Sequence, residues 1–186
     1  MRERCRIMPT TESPTIELHG RYHDVLTAPD GRVIWDRGWK SNTIVTTFRN
    51  LLATFAGGVS PSLGIQGLRV GQGVAAWDTT GPPAGTASQT ALVDPNPYLA
   101  PKTALAINYL NGANVSATPT NRLQIVATLG PNMPTWPDAN HAAANLREFG
   151  LVGTLNGVET LMNYVTHPVI VKDPASTLTR TIWLVF

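Results

Sequence analysis

A single cysteine, Cys5, is all the thiol chemistry the chain holds, which excludes an intrachain disulfide and a zinc site built on cysteines alone. Charge is also scarce. Charged residues make up 14% of the sequence against 42% hydrophobic, where ordinary soluble domains carry about 25% charged. A surface so poor in charge suits an exterior that meets other protein copies. The formal net charge of +2 supplies no strong field for nucleic acid. No window approaches the roughly 18 continuous apolar residues that a membrane-spanning helix requires. The N-terminus lacks the apolar stretch of a secretory signal. These absences predict a chain made and folded in a cytoplasm, without a nucleic-acid, membrane or cofactor partner.

What is present is punctuation. Gly 16 and Pro 15 among 186 residues suggest many short strands separated by turns. Residues 1–14 read as an extended arm in which Arg2, Arg4 and Arg6 outweigh Glu3, and residues 15–186 as one β-rich domain. Residues 15–26 alternate as a strand, with a bulge expected at Gly20. Pro29-Asp30-Gly31 is a turn signal, because Pro presets φ and Gly accepts positive φ. Residues 32–35 then return as a hairpin.

The best helix is 42–56. Asn42 is positioned to cap it, and Ile44, Val45, Phe48, Leu51, Leu52 and Phe55 share one face. Gly57-Gly58 closes it. Further strands are expected at 65–70, 102–110, 122–129, 145–154, 160–171 and 177–186, with a helical turn at 88–93. Segments 74–85 and 130–143 read as loops. In the last strand Leu178, Arg180, Ile182, Leu184 and Phe186 fall on one face. The fold class is mostly β: an antiparallel β-sandwich, with a jelly-roll among the options, Greek-key connections, and one packed α-helix near 43–56.

The chemistry-bearing residues carry no strong site signal. His19 and His23 in an extended strand lie about 13 Å apart, too far for one metal ion. Asp138 and His141 place a carboxylate near an imidazole, and Ser60 or Ser88 are the imaginable nucleophiles, but no G-x-S-x-G elbow is present. Gly71-Gln72-Gly73 leads into a loop, not the helix a dinucleotide site requires. Glu148, in an otherwise apolar strand, is expected to form a structural ion pair with Arg180. No catalytic, cofactor-binding or metal-ligating residues are assigned. The interface candidates are Arg2, Arg4, Arg6, Trp77, Tyr98 and Trp136, of which Trp77 and Trp136 stand in Pro/Gly-rich loops where aromatic anchors act.

An ordered set of motifs runs through the chain: Trp35, Asp36, Gly38, Trp39 and Asn42; the Arg49-Asn50-Leu51-Leu52-Ala53 block; Gly-Leu-Arg-Val-Gly-Gln-Gly at 67–73; Thr-Ala-Leu-Val-Asp at 90–94; Leu-Arg-Glu-Phe-Gly-Leu-Val-Gly at 146–153; the block from Met162 to Asp173; and Leu178 to Ile182. This set resembles a family of small tailed-bacteriophage structural proteins of tail, fibre-attachment or neck modules, with relatives in phage-derived injection systems. The family's usual continuation after Asp94 is replaced by Pro95-Asn96-Pro97-Tyr98. The resemblance implies a non-enzymatic virion component that forms homo-oligomers, with copies of itself and other virion proteins as partners. It would be assembled in the host cytoplasm and located in the virion. A capsid-decorating cement protein is the alternative within assembly; a glycan-binding module that recognises a host surface is the alternative from another class.

Overall fold

The computed structural model describes residues 18–59 and 61–186. The expected arm with Arg2, Arg4 and Arg6, as well as Cys5 and Ser60, lie outside the described residues.

The elements in chain order are β1 (His19–Thr27), β2 (Val33–Ile44), α1 (Thr46–Ala56), β3 (Leu63–Gly71), α2 (Trp77–Thr80), β4 (Tyr98–Pro101), β5 (Leu105–Asn111), β6 (Asn114–Ser116), β7 (Arg122–Leu129), β8 (Asn145–Leu155), β9 (Val158–Leu161), β10 (Asn163–Val171) and β11 (Thr177–Val185). The protein is mostly β, and all the strand pairings are antiparallel. One ladder runs β4-β3-β8-β10-β2-β1-β11-β7-β5-β6, with β9 alongside β8. The expected mostly β, antiparallel class is observed, and its strands form one continuous sheet. Its narrowest point is between β10 and β2, which share only the pairs Asn163↔Ile44 and Tyr164↔Thr43. The limbs on either side of that link meet through side chains: Tyr22 of β1 lies edge-on to Phe149 of β8, ring centres 5.1 Å apart.

Local chemistry explains the turns. Ala28 and Arg32 are bridged by a backbone hydrogen bond of 2.9 Å, Gly31 has φ of 82°, and the Asp30 carboxylate accepts from the Arg32 N–H at 3.0 Å. At the β8–β9 hairpin, Asn156 and Gly157 have φ of 51° and 81°, the pair of left-handed residues that a tight hairpin uses.

The helix begins later than its apolar spacing implies. Asn42, expected to cap it, is instead a strand residue paired with Gly20. Cross-strand pairing took residues 42–44, because β2 must reach β10. The start of α1 is fixed by tertiary contacts: the Thr46 N–H donates to the Ala87 carbonyl at 2.8 Å, and the Thr47 hydroxyl to the Leu161 carbonyl at 2.7 Å. Phe48 and Leu51 carry the buried face. Gly58, with φ of 66°, supplies the left-handed residue after its end.

Other expectations shift in similar ways. Gly20 stays in register with both neighbours; β1 pairs evenly with β11, and its register against β2 shifts between His23 and Val25 and between Leu26 and Thr27, where β2 holds the extra residues. The strand expected at 160–171 is two strands, β9 and β10. The helical turn expected at 88–93 is not formed, whereas Trp77–Thr80, expected as loop, is helical.

β8 is the spine of one limb. Leu146 through Gly153 are all buried, so both faces of this strand are covered. Gly153 is required there by contact: an added Cβ would stand 2.9 Å from the backbone oxygens of both Leu63 and Gly64. Backbone oxygens cannot rotate aside as side chains do. Gly153→Ala is therefore expected to cost about 1–3 kcal/mol, the usual range for overpacking, read as a lower urea midpoint at unchanged slope; an unchanged midpoint contradicts this contact.

Candidate functional site

The strand order brings three sets of polar groups together inside the fold. In the first, β1 and β11 are neighbours in register with Asp24 opposite Arg180. The Arg180 guanidinium donates from Nε to Asp24 Oδ1 and from Nη2 to Oδ2, both at 2.7 Å. Both side chains are 1% exposed or less. Arg180 also lies over the Phe149 ring, 3.6 Å from its centre. Its Nη2 contacts His167 Nε2 at 3.1 Å. A guanidinium can only donate, so Nε2 accepts; the proton then sits on Nδ1, which donates to the Pro168 carbonyl at 2.9 Å. Burial pushes the His167 imidazole down to about 3, and the Arg180 charge adds to the shift. Burial by itself would raise the Asp24 carboxyl, but the charge and hydrogen bonds of Arg180 outweigh it and hold Asp24 below the usual carboxylate range.

The second set surrounds Glu148, which is fully buried. Its carboxylate accepts from the Asp94 N–H at 2.6 Å, the Val93 N–H at 2.9 Å and the Tyr164 hydroxyl at 2.6 Å. Burial, then the Glu148 hydrogen bond, pushes the Tyr164 phenol up. Glu148 therefore anchors the turn at 93–94 to β8 and β10. The ion pair expected between Glu148 and Arg180 is not formed: Glu148 accepts from Val93, Asp94 and Tyr164, and Arg180 is taken by Asp24, with its Nη1 left without a partner. The physical reason is strand order. β8 and β11 belong to different limbs, whereas β1 lies directly beside β11.

The third set holds the loop at 130–144. His141 is 1% exposed, with Nδ1 2.9 Å from Asp138 Oδ1 and Nε2 3.0 Å from Asp94 Oδ2. The Trp136 ring stacks on the imidazole at 3.8 Å between centres. The closeness of Asp138 and His141 agrees with the sequence reading. A serine triad built on it does not form, because each ring nitrogen already faces a carboxylate. Ser88 hydrogen-bonds Thr86 instead, at 3.1 Å.

The interface candidates separate. Trp136 is 7% exposed and part of the core cluster, so it is corrected from a contact residue to an internal one; its ring covers the buried imidazole. Trp77 is half-buried against Gly73, beside Asp78, which accepts from Arg147 Nε and Nη2 at 2.8 and 2.6 Å. Tyr98 is half-buried against the core on β4. Sequence reasoning missed Asp24, Asp94, His167 and Tyr164. Asp24 carried a signal: it lies in phase with Tyr22 and Leu26 on the apolar face of its strand.

A fourth feature is apolar. A groove of about 310 Å³ runs between α1 and the inner face of the sheet, lined by Phe48, Leu52, Phe55, Ile107, Phe186 and neighbouring residues. Beside its α1 end stand Phe55, Val59, Leu63 and Val158, exposed by 43%, 51%, 53% and 67%. They are gathered by the contact of the β8–β9 turn with the α1–β3 connection, where the Gly157 N–H donates to the Pro61 carbonyl at 3.1 Å. Among the described residues no group of three His, Cys, Asp or Glu side chains is arranged to hold a metal ion.

Comparison of the chain with protein-family models, curated proteins and solved structures finds no match.

Proposed function

We propose that this chain is a non-enzymatic structural subunit of a tailed-phage virion, forming homo-oligomers in the tail, neck or fibre-attachment region. The observation that carries the assembly reading is the apolar groove, lined in part by Phe55, together with the exposed side chains of Val59, Leu63 and Val158. Contiguous apolar surface of this kind is characteristic of contact with another protein. The occupant we assign is a second copy, in keeping with the low charge of the chain. The buried polar sets support the reading from a different side. They join strand to strand and loop to strand inside the fold, which makes a rigid scaffold. The virion setting rests on the ordered motif set from Trp35 to Ile182.

Size-exclusion chromatography with light scattering tests the assembly. The purified chain is expected as a defined oligomer, and Phe55→Asp with Val158→Asp is expected to give a monomer with an unchanged melting temperature, since both side chains are exposed. A wild-type monomer across the micromolar range overturns the proposal. Portal, capsid or tail genes beside this gene are the expected neighbourhood; their absence counts against the virion setting.

A further inference from the structure

The outer face of the β2-β1-β11-β7 limb carries an arrangement separate from the three buried polar sets. Arg21 on β1 lies over two adjoining tryptophans: its guanidinium carbon is 4.4 Å from the Trp39 ring centre and 4.2 Å from that of Trp183. The two rings are 4.7 Å apart. Arg122 also lies over Trp183, 5.8 Å from its ring centre. His19, Arg21, Arg122, Trp183 and Val185 line a cleft of about 180 Å³.

Two facts make this more than a solvated patch. Arg21 makes no hydrogen bond or ion pair among the described residues, yet its position is fixed by two ring faces. Stacking restrains a guanidinium while leaving its N–H edge free for a planar oxyanion. Trp183, a wall of the cleft and 8% exposed, has an indole N–H with no partner. A cation pre-positioned with its donors empty, beside an unsatisfied buried donor, is the pattern of a site awaiting an acceptor oxygen.

The surroundings select the carrier of that oxyanion. Across the strands Arg21 stands opposite Ser41 on one side and Trp183 on the other, and the row continues through Gln124 to Asn108. These are neutral hydroxyl and amide groups, suited to sugar hydroxyls. A polyphosphate would call for further cations along the row. Instead His23, two residues along β1 from Arg21, carries the carboxylate of Asp36 at 2.5 Å. Trp39, 40% exposed, offers a flat apolar surface on which a sugar ring stacks. We propose that this face binds an acidic saccharide, with Arg21 and Arg122 taking its carboxylate or sulfate group and Trp39 its ring. The inference is independent of the assembly reading, because Arg21, Arg122, Trp39 and Trp183 lie outside the groove, and only Asn108 at the far end of the row also lines it.

Tryptophan fluorescence of the full chain, titrated with oligogalacturonate, sialyllactose and a heparin-derived tetrasaccharide, tests it. At least one probe is expected to give a saturable change that Arg21→Met weakens tenfold or more. Arg69→Met, at a distant ion pair with Glu159, is expected to leave binding unchanged and serves as the control. The idea is overturned if none of the three saturates, or if Arg21→Met binds as wild type. It is equally overturned if a neutral maltooligosaccharide binds as well, or if single-stranded DNA alone binds.

Discussion

Replacing Arg180 by methionine is expected to remove about 3–5 kcal/mol of folding stability, the cost of leaving one member of a buried ion pair without its partner. The Asp24 carboxylate is fully buried and receives two 2.7 Å hydrogen bonds from this one side chain. Without them it stays charged in an apolar interior or takes up a proton, and both outcomes favour the unfolded chain. For a domain of this size the loss corresponds to a fall in melting temperature of roughly 6–20 °C. The double variant Asp24→Leu with Arg180→Met is expected to recover most of it, because an apolar pair of similar volume avoids the desolvation of both charges. Urea denaturation of the three proteins makes the comparison. A single-variant loss under about 1 kcal/mol, the range of exposed pairs, contradicts the buried pairing.

Acid is expected to destabilise the wild-type protein well above the carboxylate range, with His167 as a principal cause. Its folded-state pKa is depressed from 6.5 to about 3, so the folded protein keeps the ring neutral where the unfolded chain protonates it. Between those two values the unfolded state binds the additional proton, so stability falls as pH falls. One such group contributes at most about 1.4 kcal/mol per pH unit. Asp24 acts in a different window: its depressed pKa makes its contribution complete above the unfolded value and lost only as pH drops through the folded one. His167→Gln keeps an acceptor for Arg180 and removes the titration. Its stability at pH 7 is expected to be lower than wild type, and its decline between pH 6 and 4 shallower. Parallel wild-type and variant curves across that interval would remove His167 from the explanation.

The sequence is most informative where a strand is read by its own alternation. The bounds of β7 agree with the expected 122–129, and the buried face of β11 contains Leu178, Arg180, Ile182 and Leu184. These depend on local spacing alone. Pairing between distant strands is different in kind. That Arg180 sits on a buried face was readable, and a buried guanidinium demands a carboxylate; which carboxylate depends on which strand lies next to β11. Glu148 was the nearer choice in sequence, and strand order made it Asp24. The His141 set was half legible, because Asp138 is three residues away, whereas Asp94 reaches it only through the folding of two irregular segments. At Asn42 the helical and extended patterns overlapped, and the contact of β2 with β10 decided between them.

The placement of β11 between β1 and β7 has a consequence for the time at which the protein acquires its shape. Asp24 and Arg180 are separated by 156 residues, which at roughly 5–20 residues per second is about 8–30 s of synthesis. During that interval the edge of β1 that will receive β11 is bare, and Asp24 on it has no counter-charge. The β1-β2 hairpin and β7 can exist, but the sheet that joins them cannot, so the larger limb folds only after most of the chain has left the ribosome. An unpaired strand edge is a template for pairing with another nascent copy. Slower translation over the second half of the message is therefore expected to lower the yield of soluble protein, and a chaperone that shields the first hairpin to raise it.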